Sequence, residues 1–275
     1  MGRMRMVACD LDGTVVRSDG TVSERTLAAF DRCERLGVDV VFVTGRPPRW
    51  LPPIAEVTGH HGLAVCGNGA AVVDLTTFEV VRLSDLPPAA VLEVADRLRS
   101  RIEQAVFALE TLTGVRREPG FMPRHEEARR AMTGTLPELV ADAPGVIKLL
   151  CRQDPLPPER RLSADALLEI ARAELAGIAE PVHSNPLGGM LEIAAPGVSK
   201  ASGLAGLAAE RGISAAEVVA FGDMPNDVPM LRWAGRGFAM SGGHPAAVAA
   251  AGEVAPPCDE DGVARVIERL LPALP

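Results

Sequence analysis

Short apolar runs alternate with amphipathic stretches along the first third of the chain. The runs at residues 4–9, 38–43 and 63–66 predict buried strands. Between the first two runs, Ser23 is suited to cap a helix whose apolar stripe continues to Gly37. Mostly apolar strands that alternate with helices are typical of a parallel sheet with helices on both faces.

The same alternation resumes in the last third of the chain, after a middle part with a different pattern. In the last third, the predicted elements are a helix at 200–211, a strand at 218–221, a helix at 227–234, a strand at 236–240 and helices at 245–251 and 263–271. In the middle part, they are a helix at 88–102, strands at 105–109 and 146–151, a helix at 164–176 and a strand at 190–193. Paired prolines, Pro52-Pro53 among them, are interpreted as turns or linkers.

These patterns predict an α/β fold in which one domain is inserted into another. Residues 1–83 and 193–275 are expected to form a parallel-sheet core, and residues 84–192 a smaller α+β domain. Hydrophobic residues make up 47% of the 275 residues, which is enough for a substantial core in each domain.

Composition limits the classes of function. The net charge of −8 argues against a general nucleic-acid-binding protein, which normally carries a basic face. An anionic substrate remains compatible, because a few cations or one metal ion reverse the field locally. The five scattered cysteines predict no disulfide framework and favour a reducing compartment. No stretch approaches the ~20 apolar residues of a membrane span, and the start has no secretion signal. We therefore expect a soluble, cytoplasmic protein.

The first group of candidate catalytic residues is Asp10-Leu11-Asp12-Gly13-Thr14, directly after the first predicted strand. Two close carboxylates repel each other unless one is protonated or a cation lies between them. Mg²⁺ prefers such oxygen ligands. With a metal ion bound, Asp10 is a candidate nucleophile, and Asp12 a candidate acid that protonates the leaving oxygen and later activates water. A strand followed by an ordinary Asp-Gly turn is the alternative.

Two weaker signals supply candidate phosphate ligands. Thr44-Gly45-Arg46 follows the second predicted strand, where a hydroxyl and backbone N–H groups can hold phosphoryl oxygens. Lys200 is one of only two lysines in the chain, and a compact ammonium there would neutralise phosphate and keep Asp10 ionised. An ordinary turn and a solvated lysine are the alternatives when each signal is taken alone.

The last signal, Gly222-Asp223-Met224-Pro225-Asn226-Asp227, follows the strand predicted at 218–221. Asp223 is a candidate metal ligand, and Asp227 a candidate ligand or partner of a metal-bound water. Asn226 is a candidate partner of Lys200 or of the phosphate. Because parallel strands bring their carboxyl ends to one edge of a sheet, distant acids can meet there. A helix capped by Asp227 is the alternative. The predicted metal set is Asp10, Asp12, Asp223 and Asp227.

Other types of site do not match the sequence. In a calcium-binding EF-hand loop that began at Asp10, Val15 and Thr21 would occupy the positions that require Gly and Glu. No GxxxxGK[ST] phosphate loop occurs. The turn Gly67-Asn68-Gly69 lacks the third glycine of a dinucleotide fingerprint. The histidines show no zinc spacing, so we expect surface or supporting positions for His60, His61, His125, His183 and His244.

Taken in order, the four signals resemble the motifs of the haloacid dehalogenase-like (HAD) superfamily. They look like its Cof-type branch, in which a class IIB cap is inserted between the second and third motifs. The resemblance covers nearly the whole chain. The matching residues are Asp10 (nucleophile), Asp12 (acid/base), Thr44 (phosphate-binding hydroxyl), Lys200 (third motif), Asp223 and Asp227 (metal-binding acids) and Asn68 (the NGA turn).

The resemblance implies a Rossmann-like core with an α+β lid and Mg²⁺ as the cofactor. It further implies a phosphatase that hydrolyses small phosphorylated metabolites, such as sugar phosphates, through an aspartyl phosphate. Two departures, Cys66 in the NGA turn and Ala201 after the motif lysine, bear on substrate handling and leave the catalytic residues intact. The residues expected to contact substrate are Thr44, Gly45, Arg46, Asn68, Lys200 and Asn226.

Two alternatives remain open at the level of the sequence. A phosphotransferase or sugar phosphomutase would use the same residues. A phosphoaccepting regulatory protein is the alternative outside enzymes, although it would not need a leaving-group acid such as Asp12. A small metabolite is the expected partner, with no nucleic acid and no membrane. The sequence identifies neither that metabolite nor the oligomeric state.

Overall fold

The computed structural model of the protein describes residues 4–59 and 62–271. His60 and His61 lie outside the described residues. The described residues fall into two compact units. The first comprises segments of 1–46, 50–81 and 199–275, and the second comprises 47–49 and 82–198.

The strands and helices have the following bounds. The strands are β1 (Met6–Cys9), β2 (Asp39–Val43), β3 (Leu63–Cys66), β4 (Ala71–Asp74), β5 (Val80–Leu83), β6 (Val106–Thr111), β7 (Val115–Arg117), β8 (Met132–Thr133), β9 (Val146–Arg152), β10 (Glu180–Val182), β11 (Met190–Ala194), β12 (Val218–Gly222), β13 (Arg236–Met240) and β14 (Glu253–Ala255). The α-helices are α1 (Glu24–Arg35), α2 (Pro52–Thr58), α3 (Pro88–Arg99), α4 (Glu126–Arg129), α5 (Leu136–Ala141), α6 (Ala164–Glu174), α7 (Lys200–Glu210), α8 (Val228–Trp233), α9 (Pro245–Ala250) and α10 (Gly262–Leu270).

The first unit is built on an eight-stranded sheet with the order β14-β13-β12-β1-β2-β3-β4-β5. The strands from β14 to β3 pair in parallel, with β1 between β12 and β2. The strand β4 runs antiparallel to its neighbour β3. The predicted α/β fold with a parallel-sheet core is therefore confirmed. The sequence analysis did not predict β4 or β5.

Both faces of this sheet are covered at its central strand β1, whose successive residues point to opposite sides. On one face, Val7 and Cys9 of β1 pack in a core with residues of α1 and α10. On the other face, Met6 and Ala8 pack with residues of α7 and α8. Every residue of β1 is consequently buried.

Local signals explain where the first helices begin. The Ser23 side chain caps α1, as predicted, by accepting a hydrogen bond from the Thr26 backbone N–H at 3.1 Å. The turn predicted at Pro52-Pro53 is wrong, since Pro52 is the first residue of α2. Proline is tolerated there because the first residues of a helix have no intrahelical partner for their N–H groups.

The second unit contains a six-stranded sheet with the order β10-β11-β9-β6-β7-β8, antiparallel except for the pair β7–β8. One face of it packs against α3, α5 and α6. The unit extends from 82 to 198, compared with the expected 84–192, because β11 pairs with β9 over Met190–Ile193 and completes the sheet.

Two buried basic side chains of the second unit, Lys148 and His183, each have an acidic partner. Lys148 donates a hydrogen bond to Glu192 at 2.6 Å, and both are largely inaccessible to solvent. His183 is fully buried and lies 2.8 Å from Asp165, measured between Nε2 and Oδ1. Burial of the Lys148–Glu192 pair is compatible with folding because each charge has a partner, and the partner of the buried His183 ring is the exposed carboxylate of Asp165.

Two further expectations concern the whole chain. All five cysteines are free thiols, as predicted from their scattered positions. Among the residues that the structure describes, no helix is both long enough and apolar enough to cross a bilayer.

Candidate active site

The candidate residues after β1, β2 and β12 lie at one edge of the sheet. These three strands are neighbours and run in parallel, so their carboxyl ends meet. Asp10 follows β1, Thr44 follows β2 and Asp223 follows β12. Backbone hydrogen bonds continue the sheet here: the Asp10 N–H donates to the Phe221 carbonyl at 3.0 Å, and that of Thr44 to Val65 at 2.8 Å.

Lys200 connects two of the acids. Its Nζ donates to Oδ1 of Asp10 and to Oδ1 of Asp227, at 2.6 Å in both cases. Lys200 is fully buried and is the first residue of α7. The helix start is fixed by Ser199, whose Oγ accepts from the Ser202 N–H at 3.2 Å. The cap therefore fixes the backbone from which the Lys200 side chain extends.

Asp10, Asp223 and Asp227 form a compact acidic group. Each offers a carboxylate oxygen, and these oxygens all lie within 4.8 Å of one another. The group is buried. The second oxygen of Asp227 accepts backbone N–H groups of Asp223 at 3.0 Å and Met224 at 2.9 Å, so this side chain also fixes the loop after β12.

The electrostatics of the group reflect its incomplete charge balance. Burial and the Asp227 carboxylate raise the pKa of Asp10 well above its usual range, against the lowering effect of Lys200. Burial and Asp227 likewise raise the pKa of Asp223 to about 7. Burial disfavours the charged form of Lys200, but Asp10 and Asp227 outweigh it and raise the Lys200 pKa. One ammonium thus faces three carboxylates.

This donor set fits a hard divalent cation. Carboxylate oxygens are the ligands that Mg²⁺ prefers, and a divalent charge would offset the carboxylate charge that Lys200 leaves unbalanced. Neighbouring carboxylates without such a cation hold protons to unusually high pH, which agrees with the raised pKa values of Asp10 and Asp223.

Gly13 allows the loop after β1 to approach the acidic group. A Cβ atom at this position would lie 2.5 Å from Oδ2 of Asp223, and the backbone has φ of +81°. The next residue, Thr14, donates from its hydroxyl to Oδ1 of Asp223 at 3.4 Å. Sequence analysis assigned no role to Thr14, although it belongs to the first signal.

The predicted phosphate ligands also lie together. The Thr44 hydroxyl accepts the Arg46 N–H at 3.1 Å, so the turn through Gly45 is closed on itself. Asn68 donates its N–H to the Thr44 carbonyl at 3.0 Å and has a left-handed backbone with φ of +58°. The Asn226 side-chain amide donates to Oδ1 of Asn68 at 3.1 Å. The structure thus brings these turns together, and their phosphate-binding role stays a prediction.

Asp12 and Arg46 pair with each other. The guanidinium donates from Nε to Oδ2 of Asp12 at 2.9 Å and from Nη2 to Oδ1 at 2.5 Å. The Asp12 side chain is 61% exposed, and its carboxylate lies outside the compact acidic group. Alternate residues of a strand share a face, but β1 ends at Cys9, so this rule does not place the Asp12 side chain beside that of Asp10.

Comparison with known proteins identifies the family. Residues 7–267 match the haloacid dehalogenase-like hydrolases. The chain belongs to this family. The resemblance inferred from the four motifs is thereby confirmed.

Two curated relatives match this HAD protein over nearly the whole length of both chains. It is 28% identical to the 5-amino-6-(5-phospho-D-ribitylamino)uracil phosphatase YitU of Bacillus subtilis, with 96% of each chain covered. It is 25% identical to the pyridoxal phosphate phosphatase YbhA of Escherichia coli, over 96% of this chain and 97% of that one.

Solved structures agree on the fold. BT1666, a HAD phosphatase from Bacteroides thetaiotaomicron, matches with a TM-score of 0.78 and 22% identity, over 98% of this chain and 95% of that one. The subclass IIB sugar phosphatase BT4131 matches with a TM-score of 0.76 and 20% identity, over 98% and 100% of the two chains. At such identities the likeness establishes the fold alone.

Proposed function

We propose that the protein is a Mg²⁺-dependent phosphatase that hydrolyses phosphate monoesters of small metabolites through an aspartyl phosphate on Asp10. The observation that carries this proposal is the buried Lys200, which bridges Asp10 and Asp227 beside Asp223. A site of this composition combines a nucleophilic carboxylate, a fixed cation and metal ligands. The named phosphatases among the relatives support the same class of reaction.

In the first half-reaction, a carboxylate oxygen of Asp10 forms a bond to phosphorus while the bond from phosphorus to the ester oxygen breaks. Asp12 gives its proton to the departing oxygen. In the second half-reaction, a water oxygen bonds to phosphorus and gives a proton to Asp12. The bond between phosphorus and Asp10 then breaks with its electron pair, which regenerates the carboxylate and releases phosphate.

The remaining site residues would bind the phosphoryl group and the metal ion and neutralise their charges. Thr44, the turn through Gly45 and the ammonium of Lys200 would hold phosphoryl oxygens, since donors aimed at developing charge act strongly in a buried site. Asp10, Asp223 and Asp227 would hold the Mg²⁺ ion, which supplies charge neutralisation when bound. Asp12 would join the metal set only through an atom other than its carboxylate, which is paired with Arg46.

The second unit is assigned the role of a cap that selects the leaving group. Its separate core and sheet support an independent element of this kind. The relatives are named for different phosphorylated metabolites, so we propose this class of substrate for the chain and no single member of it.

Five free thiols support a reducing compartment such as the cytoplasm. The alternatives of a phosphomutase and a phosphoaccepting regulator gain no support from these names.

A phosphate-release assay over a panel of phosphorylated metabolites with Mg²⁺ tests the proposal. Asp10→Asn keeps the shape of the side chain but removes the nucleophile, and we expect kcat to fall at least about 10³-fold. Asp31→Asn is the control, because Asp31 is an exposed residue of α1 paired only at the surface with Arg35. Turnover that survives Asp10→Asn would exclude Asp10 as nucleophile. Activity that persists in a chelator would exclude the metal.

A further inference from the structure

The pairing of Arg46 with Asp12 is built into the turn after β2. The Arg46 N–H donates to the Thr44 hydroxyl at 3.1 Å, and the Arg46 carbonyl accepts from the Gly67 N–H at 2.9 Å. Hydrogen bonds therefore hold the backbone of Arg46 on both sides. Its side chain is 22% exposed, compared with 61% for Asp12, so the better-anchored partner is the arginine.

The geometry of this pair makes Asp12 a hydrogen-bond acceptor. Each of its two oxygens accepts a different N–H of the same planar guanidinium, at 2.9 Å and 2.5 Å. Such a two-point contact fixes the orientation of a carboxylate in a way that a single donor cannot. It matches the form of Asp12 that has already given up its proton, and each oxygen keeps a further lone pair for another donor.

We propose that Arg46 is a positioning residue for the second half-reaction, in which it holds the Asp12 carboxylate while this accepts a proton from the attacking water. This inference rests on the proposed phosphatase mechanism. Without Arg46, an exposed carboxylate would rotate freely, and its encounter with the water would lose the fixed orientation on which general base catalysis depends. The chemistry of the step is unchanged: the water oxygen bonds to phosphorus, its proton goes to Asp12, and Asp10 leaves.

This role has a kinetic signature. The ratio kcat/KM contains only the steps up to the first irreversible one, the departure of the leaving group, whereas kcat also contains hydrolysis of the aspartyl phosphate. Loss of Arg46 should therefore lower kcat and KM together and leave kcat/KM unchanged. The aspartyl phosphate should accumulate. If Arg46 instead binds the substrate phosphate, KM should rise and kcat/KM should fall.

The experiment uses the full chain with Mg²⁺ and p-nitrophenyl phosphate in a quenched-flow instrument. Its leaving group departs without help from an acid, so the first half-reaction is insensitive to Asp12. We compare wild type, Arg46→Met and Arg46→Lys. The control is Arg35→Met, which removes an arginine that is 60% exposed and paired with Asp31 at the surface of α1.

For Arg46→Met we expect a burst close to one nitrophenolate per active site, followed by a steady state about tenfold slower than wild type. Arg46→Lys, with one point donor, should lie between the two, and Arg35→Met should match wild type. A fall in kcat/KM without a burst in both Arg46 variants would overturn the proposal. If wild type releases phosphate from no member of the metabolite panel, or Asp10→Asn remains active, the proposed function itself fails, which is a different result.

Discussion

At the scale of single residues, a comparison of Gly13 with Gly20 distinguishes the effect of backbone strain from that of crowding at the acidic group. Gly13 and Gly20 have nearly the same backbone angle, with φ of +81° and +83°. A Cβ at Gly13 would meet the Asp223 carboxylate at 2.5 Å, whereas at Gly20 nothing lies within 4 Å. The same substitution at the two positions therefore differs only in what the added methyl group touches.

We expect Gly13→Ala and Gly20→Ala each to lose about 1–2 kcal/mol of unfolding free energy, the cost of a left-handed backbone in a residue with a Cβ. Only Gly13→Ala should displace Asp223 and lower kcat, by about 10²-fold, because small displacements in a catalytic group are costly. Urea unfolding and a Mg²⁺ titration of activity measure both effects. Equal activities of the two variants would show that Gly13 has no role in placing Asp223.

At the scale of secondary structure, the start of α7 is fixed from two sides. Ser199 and Ser202 exchange hydrogen bonds, with the Ser199 N–H donating to the Ser202 hydroxyl at 2.9 Å. From the other side, Gly69 packs so closely that a Cβ there would lie 2.0 Å from the Ser199 carbonyl oxygen. Lys200 is the next residue, so this double restraint fixes the backbone from which its side chain reaches Asp10 and Asp227.

Removal of the two helix caps Ser199 and Ser163 distinguishes stability from catalysis. Ser163 caps α6 in the second unit with the same type of hydrogen bond, accepting the Ala166 N–H at 3.2 Å. We expect Ser199→Ala and Ser163→Ala each to cost about 1 kcal/mol of stability. Only Ser199→Ala should also lower kcat, since Lys200 follows it. Thermal unfolding and steady-state kinetics measure the two quantities, and unchanged kcat in Ser199→Ala would contradict a positioning role for the cap.

Pattern alone could predict the buried elements but not every boundary. The strand at 63–66 and the helix from Lys200 were predicted with correct starts, because the pattern of apolar residues is a local signal. The helix at Pro52 was missed because two prolines suggest a turn until the tertiary fold shows which N–H groups need partners. The strands β4 and β5 were not predicted, although β4 pairs with β3, its immediate neighbour in the chain.

The candidate site divides in the same way. The meeting of Asp10 and Asp223 could be predicted, since parallel neighbouring strands bring their carboxyl ends together. The pairing of Arg46 with Asp12 could not, because it depends on where the chain turns after Cys9 and on the rotamer of a long side chain. Sequence assigned both residues to the site but not to each other.

At the scale of the whole molecule, the acidic group couples folding to pH and to metal. In the folded, metal-free protein the pKa values of Asp10 and Asp223 are raised, so the folded state binds more protons than the unfolded one. Stability must then fall as pH rises from the ordinary carboxyl value of 3.8 towards about 7, the value for Asp223. A divalent cation that binds the ionised group would restore stability at the upper end of this range.

We therefore expect the Tm of the chelator-treated protein to fall between pH 5 and pH 8, and Mg²⁺ to raise Tm more at pH 8 than at pH 5. The corresponding change in the free energy of unfolding is a few kcal/mol, since one pKa unit is equivalent to about 1.4 kcal/mol. Both tryptophans, Trp50 and Trp233, belong to the first unit, so their fluorescence follows the part of the chain that contains the site. Asp223→Asn should flatten the pH dependence. A Tm that does not vary with pH in the chelator would refute the linkage.

Chemical modification of the two lysines can report on the unfolding of each unit. Lys148 lies in the second unit and Lys200 in the first, and both are buried. A reagent that acylates side-chain amines can modify either one only after its own unit has opened. In partly unfolded samples, mass spectrometry of the two peptides would then time the opening of each unit separately, with no engineered label on the chain.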